Sequence, residues 1–399
     1  MKMTAKDIEH TYPAVSNLIA RLKSRKVHKP FPVAVETALV MRQVISQTRW
    51  STVDQLLDTI RAVGSSLVKA QPSEFSCGNI IRRILRMIRE EYQDLLNSVE
   101  EETVNKGKGK DSSTTSSVSS PSSGLSSNDH LAERNEPISF QMYSSMLNLL
   151  GRPVPEASSQ HKNLGDSRVT GGMDMRAVLI AGIQEIIDEL DKINTDIEVQ
   201  SMDHLHSNEI ILTQGCSKTV EAFLRFAAKK RKFSVVVAEG FPNMQDGAHA
   251  MAKRLANAGI DTTVISDAAI FAIMSRVNKV ILGTHAILGN GGLVTYSGAH
   301  LVAQAARHHA TPVVVCSGIY KLSPVYPYDL ESIIQLTSPG NIISFKNGDL
   351  INEAELLNPY YDYIPPDLVD LFITNLGGYP PSYLYRIMND TYDANDTIL

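Results

Sequence analysis

The stretch ILGNGGLVTYSG, Ile287 to Gly298, has the composition of a loop that holds an anion. It reads as a glycine-rich turn between a strand and a helix. Gly289, Gly291 and Gly292 would then present backbone N–H groups to a phosphate. Reactive side chains beside it would have to come from TQGCSK (213–218), AEGFPN (238–243), SDAA (266–269) or GTHAILGNGG (283–292). Cys216 falls where a helix should begin, and a helix N-terminus lowers a thiol's pKa and makes it nucleophilic. No histidine or carboxylate pairs with it in the sequence, so a small, inert cysteine is the default reading. Asp267 is read as the N-cap of its own helix rather than as a base.

Other chemistries are poorly supplied. No G-x-G-x-x-G follows the first strand, and no Walker lysine loop occurs, so neither a dinucleotide nor any other cofactor is expected. His204 and His206 form one pair and His308 and His309 another, and neither has a companion at metal-ligand spacing; no metal is expected. Cys77, Cys216 and Cys316 are far apart and make no CxxC, which argues against a disulfide framework and fits a reducing compartment. AAKKRK (227–232) ends a helix, where cations suit the dipole. Arg82, Arg86 and Arg89 recur at i, i+4 and i+7 on another helix. They read either as a solvated edge pairing with Glu90 and Asp94 or as a docking face for an acidic or phosphorylated partner.

The elements that must position these residues fall into two kinds. In the first hundred residues, VAVETALVMRQVIS, TVDQLLDTIRAV and CGNIIRRILRMIREEYQDLL carry apolar residues at three- and four-residue spacing, so helices are expected, with Ser51 capping the second. The stripe of the third is Ile81, Ile84, Leu85 and Ile88. From Ser112 to Ser127, ten of sixteen residues are serine. Such a segment buries too little to offset its ordering entropy, so residues 101–172 are expected to be a largely disordered insertion with loops. A long connecting helix is expected over 173–205.

From residue 206 the period changes. EIILTQG, FSVVVAEG, DTTVISD, KVILGTH and TPVVVCSG are short β-branched runs of strands buried on both faces, with helical segments between them. Strand alternating with helix means a parallel sheet and right-handed crossovers. The expected fold class is α/β: an N-terminal helical domain (1–100) followed by a Rossmann-like doubly wound domain (206–399). With 43% hydrophobic residues and a net charge of −5, the chain can bury a large core and lacks a global nucleic-acid signature. It shows no secretory signal and no apolar run of about 18 residues, so a cytosolic location is expected.

The order of ILTQGCSKTVEAFL, VVVAEGFPNMQDGAHAMAKRLANAGIDTTVISDAAIFAIMSRVNKVILGTHAILGNGGLV and ARHHATPVVV resembles the alpha/beta/delta regulatory-subunit family of eukaryotic translation initiation factor two B. QPSEFSCGNIIRRILRMIREEY and YDYIPPDLVDLFITNLGGYPPSYLYRIM add to the likeness, which covers about Val33 to Val99 and Met173 to the C-terminus. That family shares its fold with methylthioribose-phosphate and ribose-bisphosphate isomerases. The isomerases resemble one another in a cysteine after LTH and an aspartate closing an NGD loop, which together move protons. Here the corresponding positions read LTQG and NGG, placing Gly215 and Gly292 there. Neither can transfer a proton. Cys216 lies one residue out of register, a rotation of about 100° at a helix start.

The resemblance therefore implies a non-catalytic regulatory subunit that scaffolds a guanine-nucleotide exchange complex. Implied partners are alpha-like and delta-like paralogues, gamma-like and epsilon-like catalytic subunits, and the alpha subunit of initiation factor two, whose phosphorylation turns exchange down. It places Asn208, Ser234, Thr263 and Ile265 near a central subunit interface. Two alternatives stay open: an active sugar-phosphate isomerase using Cys216, and a sensor that binds a sugar phosphate or nucleotide in the old pocket.

Overall fold

The five β-branched runs are strands because helices cover both of their faces. In the computed structural model, which describes residues 11–107, 172–329, 333–346, 348 and 353–399, they become β1 (Ile210–Gln214), β2 (Ser234–Ala238), β3 (Asp261–Ile265), β4 (Lys279–Gly283) and β7 (Val313–Cys316). β9 (Leu371–Thr374) and β10 (Gly377–Tyr379) complete a seven-stranded sheet of order β10-β9-β7-β4-β1-β2-β3. Every pairing in it is parallel except β9 with β10. β1, β2, β4 and β7 are almost wholly buried, as doubly covered strands must be. β3, at the edge, exposes three of its five residues.

The crossover helices are α6 (Lys218–Ala228), α7 (Gln245–Asn257), the short α8 (Ile270–Met274) and α9 (Ala299–His308). β5 (Ala286–Ile287), β6 (Leu293–Tyr296) and β8 (Tyr361–Ile364) form a separate antiparallel sheet, and α10 (Leu384–Thr391) closes the fold near the C-terminus.

Ahead of the sheet come α1 (Pro13–Lys23), α2 (Pro30–Gln47), α3 (Val53–Ala70), α4 (Phe75–Gly107) and α5 (Gly172–His204). Thr52, not Ser51, caps α3: its hydroxyl accepts from the Gln55 amide. Ser51 sits one step outside the cap and donates its own N–H to the Gln55 side chain at 3.2 Å. The Ser-rich stretch lies outside the described residues, as does nearly all of 151–172.

These helices do not form a body apart from the sheet. Leu18, Met41, Ile60 and Ile84 belong to the same buried cluster as Leu190, Ile193 and Ile197 of α5 and Ile211, Val235 and Val314 of the sheet. Residues up to Asn97 and from Gly171 onward accordingly make one compact unit. The second unit, Ser98–Thr170, is described only where α4 runs on to Gly107. The opposite face of the sheet has its own core, in which Leu212, Val280 and Val315 meet Ile270, Val302 and Leu384. Among the described residues no helix is long and apolar enough to cross a membrane.

Where the α3–α4 turn meets the end of β4, two titratable groups are buried against each other. Glu74 Oε2 lies 3.6 Å from His285 Nε2, and the two side chains are 6% and 2% exposed. Burial pushes the Glu74 carboxyl up to about 7, although the Lys29 amide and the Arg25 charge pull the other way. Burial pushes the His285 imidazole down to about 4, opposed by its hydrogen bond to the Ser73 carbonyl.

A raised carboxyl pKa gives stability that is present below the unfolded value and lost as pH rises through about 7. A lowered imidazole pKa gives stability that is present above the unfolded value and lost as pH falls through about 4. Between the ordinary carboxyl value of 4.5 and the ordinary imidazole value of 6.5 the two slopes oppose each other. Glu74→Gln should therefore gain stability relative to the parent as pH rises through this window, and His285→Gln should lose it, each by about 1.4 kcal/mol per pH unit. Denaturant unfolding at pH 5 and pH 6.5 checks this; stability differences that do not change with pH would contradict it.

Candidate functional site

In an open parallel sheet the ligand crevice lies beyond the carboxyl ends of the strands where the order reverses. Here that point falls between β1 and β4, flanked by Gly215 on one side and Gly283 to His285 on the other. The chain's own side chains close it. Ser217 caps α6, accepting from the Val220 amide, and sits where any Cβ at Gly283 would collide with it. Gln214 reaches across to donate to the Ser297 carbonyl at 2.9 Å, and its amide takes the space a side chain at Gly298 would need. Gly298 also has φ +95°, which only glycine adopts easily. Gly215 turns at φ +63° and donates its N–H to the Ala238 carbonyl, with Met244 packed 3.4 Å from where its Cβ would be.

Cys216 does not point a free thiol into this space. It is half-buried against α7, its Cβ 3.0 Å from the Cβ position of Gly247. Its polar neighbour is Arg254, whose Nη2 lies 3.9 Å from the sulfur and pairs with Glu221 at 2.8 Å. Among the described residues no histidine or carboxylate bonds it. Asp267 differs from expectation: Ser266 holds the cap position, and both Asp267 oxygens instead accept the N–H groups of Gly240 (3.0 Å) and Phe241 (2.7 Å). The carboxylate thereby fixes the turn between β2 and α7.

The glycine-rich stretch is a β-hairpin, not a strand–helix loop, because Leu293 to Tyr296 pair with both β5 and β8. Its amides are already used. Gly289 donates to Val325, Gly291 to Leu288, and Gly292 to the side chain of Asn290 at 2.9 Å. Asn290 in turn donates to the Tyr363 hydroxyl at 2.7 Å. A Cβ at position 292 would lie 2.5 Å from that hydroxyl. Glycine at 292 thus leaves the room that Tyr363 takes. The amides expected to hold an anion hold the protein.

The histidine pairs also have structural roles. His206 meets Arg231 at 2.8 Å, while His308 and His309 each stack near Phe271, 5.0 Å between ring centres. Among the described residues no group of three or more ligating side chains gathers to hold a metal.

Arg82, Arg86 and Arg89 face the chain's own C-terminal tail, and Arg86 also makes the expected pair with Glu90. They grip the C-terminal tail. Arg82 is buried and donates to the carbonyls of Asp396 (3.1 Å) and Thr397 (3.0 Å). Arg86 pairs with Glu90 and reaches the carbonyls of Asn389 and Tyr392. Arg89 bonds both carboxylate oxygens of Asp396, which is fully buried, and Arg61 of α3 joins from the other side at 3.1 Å. The spacing put the arginines on one helix face, as read. What they face is more than 300 residues away in sequence, where nothing local signals it: Asp396 is one acid in a short polar tail. Tyr363, Glu74 and His285 went unnoticed for the same reason.

Asn208, Ser234, Thr263 and Ile265 are spread over the β3 side of the sheet. Asn208 is an exposed turn residue at φ +67° preceding β1. Ser234 donates to Asp261 at 3.2 Å across the β2–β3 pair, Thr263 is exposed in mid-strand, and Ile265 is buried at its end. Beside them Val264 is 41% exposed on a strand whose outer edge has no partner among the described residues.

Two substitutions test these contacts. Asp396→Ala strips Arg61 and Arg89 of their buried carboxylate and should cost about 3 kcal/mol in denaturant unfolding; a cost within about 0.5 kcal/mol of zero would mean that the tail is merely resting there. Gly292→Ala should cost about 1–3 kcal/mol because Tyr363 must move. Most of that cost should vanish in a Tyr363→Ala background, a coupling that a double-mutant cycle measures; additive costs would place the strain elsewhere.

Comparison with known proteins agrees with this geometry. The chain is 81% identical over its full length, and over the full length of the relative, to translation initiation factor eIF2B subunit beta of Schizosaccharomyces pombe. The tetrameric eIF2B-beta2-delta2 complex from C. thermophilum contains a chain that is 29% identical, with a TM-score of 0.64 over 95% of this chain and 94% of that one. A 5-methylthioribose 1-phosphate isomerase from Pyrococcus horikoshii OT3, 14% identical with a TM-score of 0.53 over 94% and 87%, shares the fold. The model of the initiation factor 2 subunit family matches residues 26–381. The chain belongs to the initiation factor 2 subunit family.

Proposed function

We propose that the chain is a non-catalytic regulatory subunit of the guanine-nucleotide exchange complex that acts on eukaryotic initiation factor two. One observation carries this reading: beyond β1 and β4, Ser217 and Gln214 take the space beside Gly283 and Gly298, and the hairpin that follows packs Gly292 against Tyr363, while the β3 edge has no partner among the described residues. A doubly wound sheet that has closed its chemical site and left a strand uncovered is equipped to meet another subunit. An exposed edge with an apolar residue such as Val264 invites pairing unless something covers it. The relative named above as part of a beta2-delta2 tetramer supplies the kind of partner, a delta-like paralogue. Gamma-like and epsilon-like subunits would carry the exchange of GDP for GTP, in the cytosol.

In this reading Asn208, Ser234, Thr263 and Ile265 lie near the subunit contact. Coupling of exchange to phosphorylation of the factor's alpha subunit would pass through the helical layer, which shares its core with the sheet. A displacement of α2 to α4 would therefore reach β1 and β2 through packed side chains rather than through a hinge. Native mass spectrometry of the tagged protein purified from its host tests the proposal. A heteromeric mass containing a delta-like paralogue is expected, and Val264→Asp with Thr263→Arg should shift the population toward free subunit at least tenfold. A lone monomer or homodimer in the parent preparation would overturn it.

A further inference from the structure

A cavity of about 240 Å³ opens between the α1–α2 loop, the α3–α4 turn and the small antiparallel sheet. It is separate from the filled crevice, and none of the roles derived above uses it. One wall carries Arg25, His28 and Lys29. Among the described residues, the Arg25 and Lys29 side chains make no ion pair or hydrogen bond. The floor carries Glu74, 6% exposed, whose Oε2 is buried without a hydrogen-bond partner. The opposite wall is aromatic. Tyr296 and Tyr360 stand edge to face at 5.6 Å between ring centres, and Tyr361 lies within 6.0 Å of both.

This arrangement selects by charge at both ends. A simple anion drawn in by the cationic wall would meet a buried carboxyl and the rings of Tyr296 and Tyr360, with Tyr361 packed behind them. A simple cation suited to those rings would have to pass two unpaired cations. Ring faces and a carboxyl favour an ammonium, and a guanidinium fork favours a carboxylate. The charge of Arg25 is felt at Glu74, yet the two form no ion pair, so the space between them can take a molecule carrying one charge of each sign. The volume falls below the range of about 300–1,000 Å³ usual for drug-sized ligands, too small for a nucleotide.

We infer that this cavity binds a small zwitterion of the α-amino acid class, its carboxylate toward Arg25 and Lys29 and its ammonium over the tyrosines toward Glu74. The site joins segments of both layers, so a bound ligand would tie the α1–α2 loop to the sheet.

Calorimetry and saturation-transfer NMR on the full-length chain test this, using glycine, L-serine, L-glutamine and L-phenylalanine. Inorganic phosphate and tetramethylammonium serve as probes of a single charge. Saturable binding of at least one amino acid is expected, weakened at least tenfold by Glu74→Gln and by Arg25→Gln. Arg25 is exposed and lies on a loop, so its variant decides the matter even if Glu74→Gln fails to fold. A flat response to every amino acid, binding of phosphate or tetramethylammonium alone, or amino-acid binding unchanged in the Arg25 variant would each overturn the assignment.

Discussion

Close approach at four glycines governs this molecule. Gly215 follows β1, Gly283 ends β4, Gly298 packs on Gln214 of β1 and Gly292 turns the β5–β6 hairpin; at three of them a side chain would collide with a neighbour. Gly283 admits Ser217, Gly292 admits Tyr363, and Gly298 admits Gln214. At Gly292 the absent side chain and the packed ring go together, since Tyr363 occupies the space a Cβ would need. A hole there would cost stability through missing contacts. Here the space is taken up, and the hairpin amides that once suggested a phosphate cradle are spent on Asn290, Leu288 and Val325.

The same economy joins the helical layer to the sheet. α5 lays Leu190, Ile193 and Ile197 against β-strand residues, and the four arginines of α3 and α4 hold the tail that follows α10. Burying Asp396 would be prohibitive for a lone carboxylate, but two guanidinium groups meet its oxygens and a third takes its carbonyl. Apolar packing supplies the extent of this contact, and the ion cluster supplies its register. Helical layer and sheet therefore share one core and one compact unit.

Much of this was legible from residue type and spacing. β-branched runs separated by amphipathic segments give the strands and crossovers because local period and burial agree there. The cap of α3 is one residue later than expected because Ser51 and Thr52 are both competent caps, and only the Gln55 N–H, which goes to the Thr52 hydroxyl, tells them apart. The hairpin at Ile287 to Tyr296 looked like a loop because its strands are short and one of its pairing partners, β8, lies some seventy residues on. Charge pattern groups Arg82, Arg86 and Arg89 on one face and gives Arg86 its neighbour Glu90, but it cannot show the distant Asp396 that Arg82 and Arg89 meet. Glu74 and His285, each ordinary in sequence, become unusual only when two distant turns bury them together.

A chain of this kind should not turn over a sugar phosphate in the crevice between β1 and β4. A coupled aldose–ketose assay on methylthioribose 1-phosphate and ribose 1,5-bisphosphate, run with the purified full chain, addresses this directly. Conversion at the rate of the protein-free blank, with parent and Cys216→Ala alike, is the result expected of a sealed site. Conversion above the blank that disappears in Cys216→Ala would contradict it.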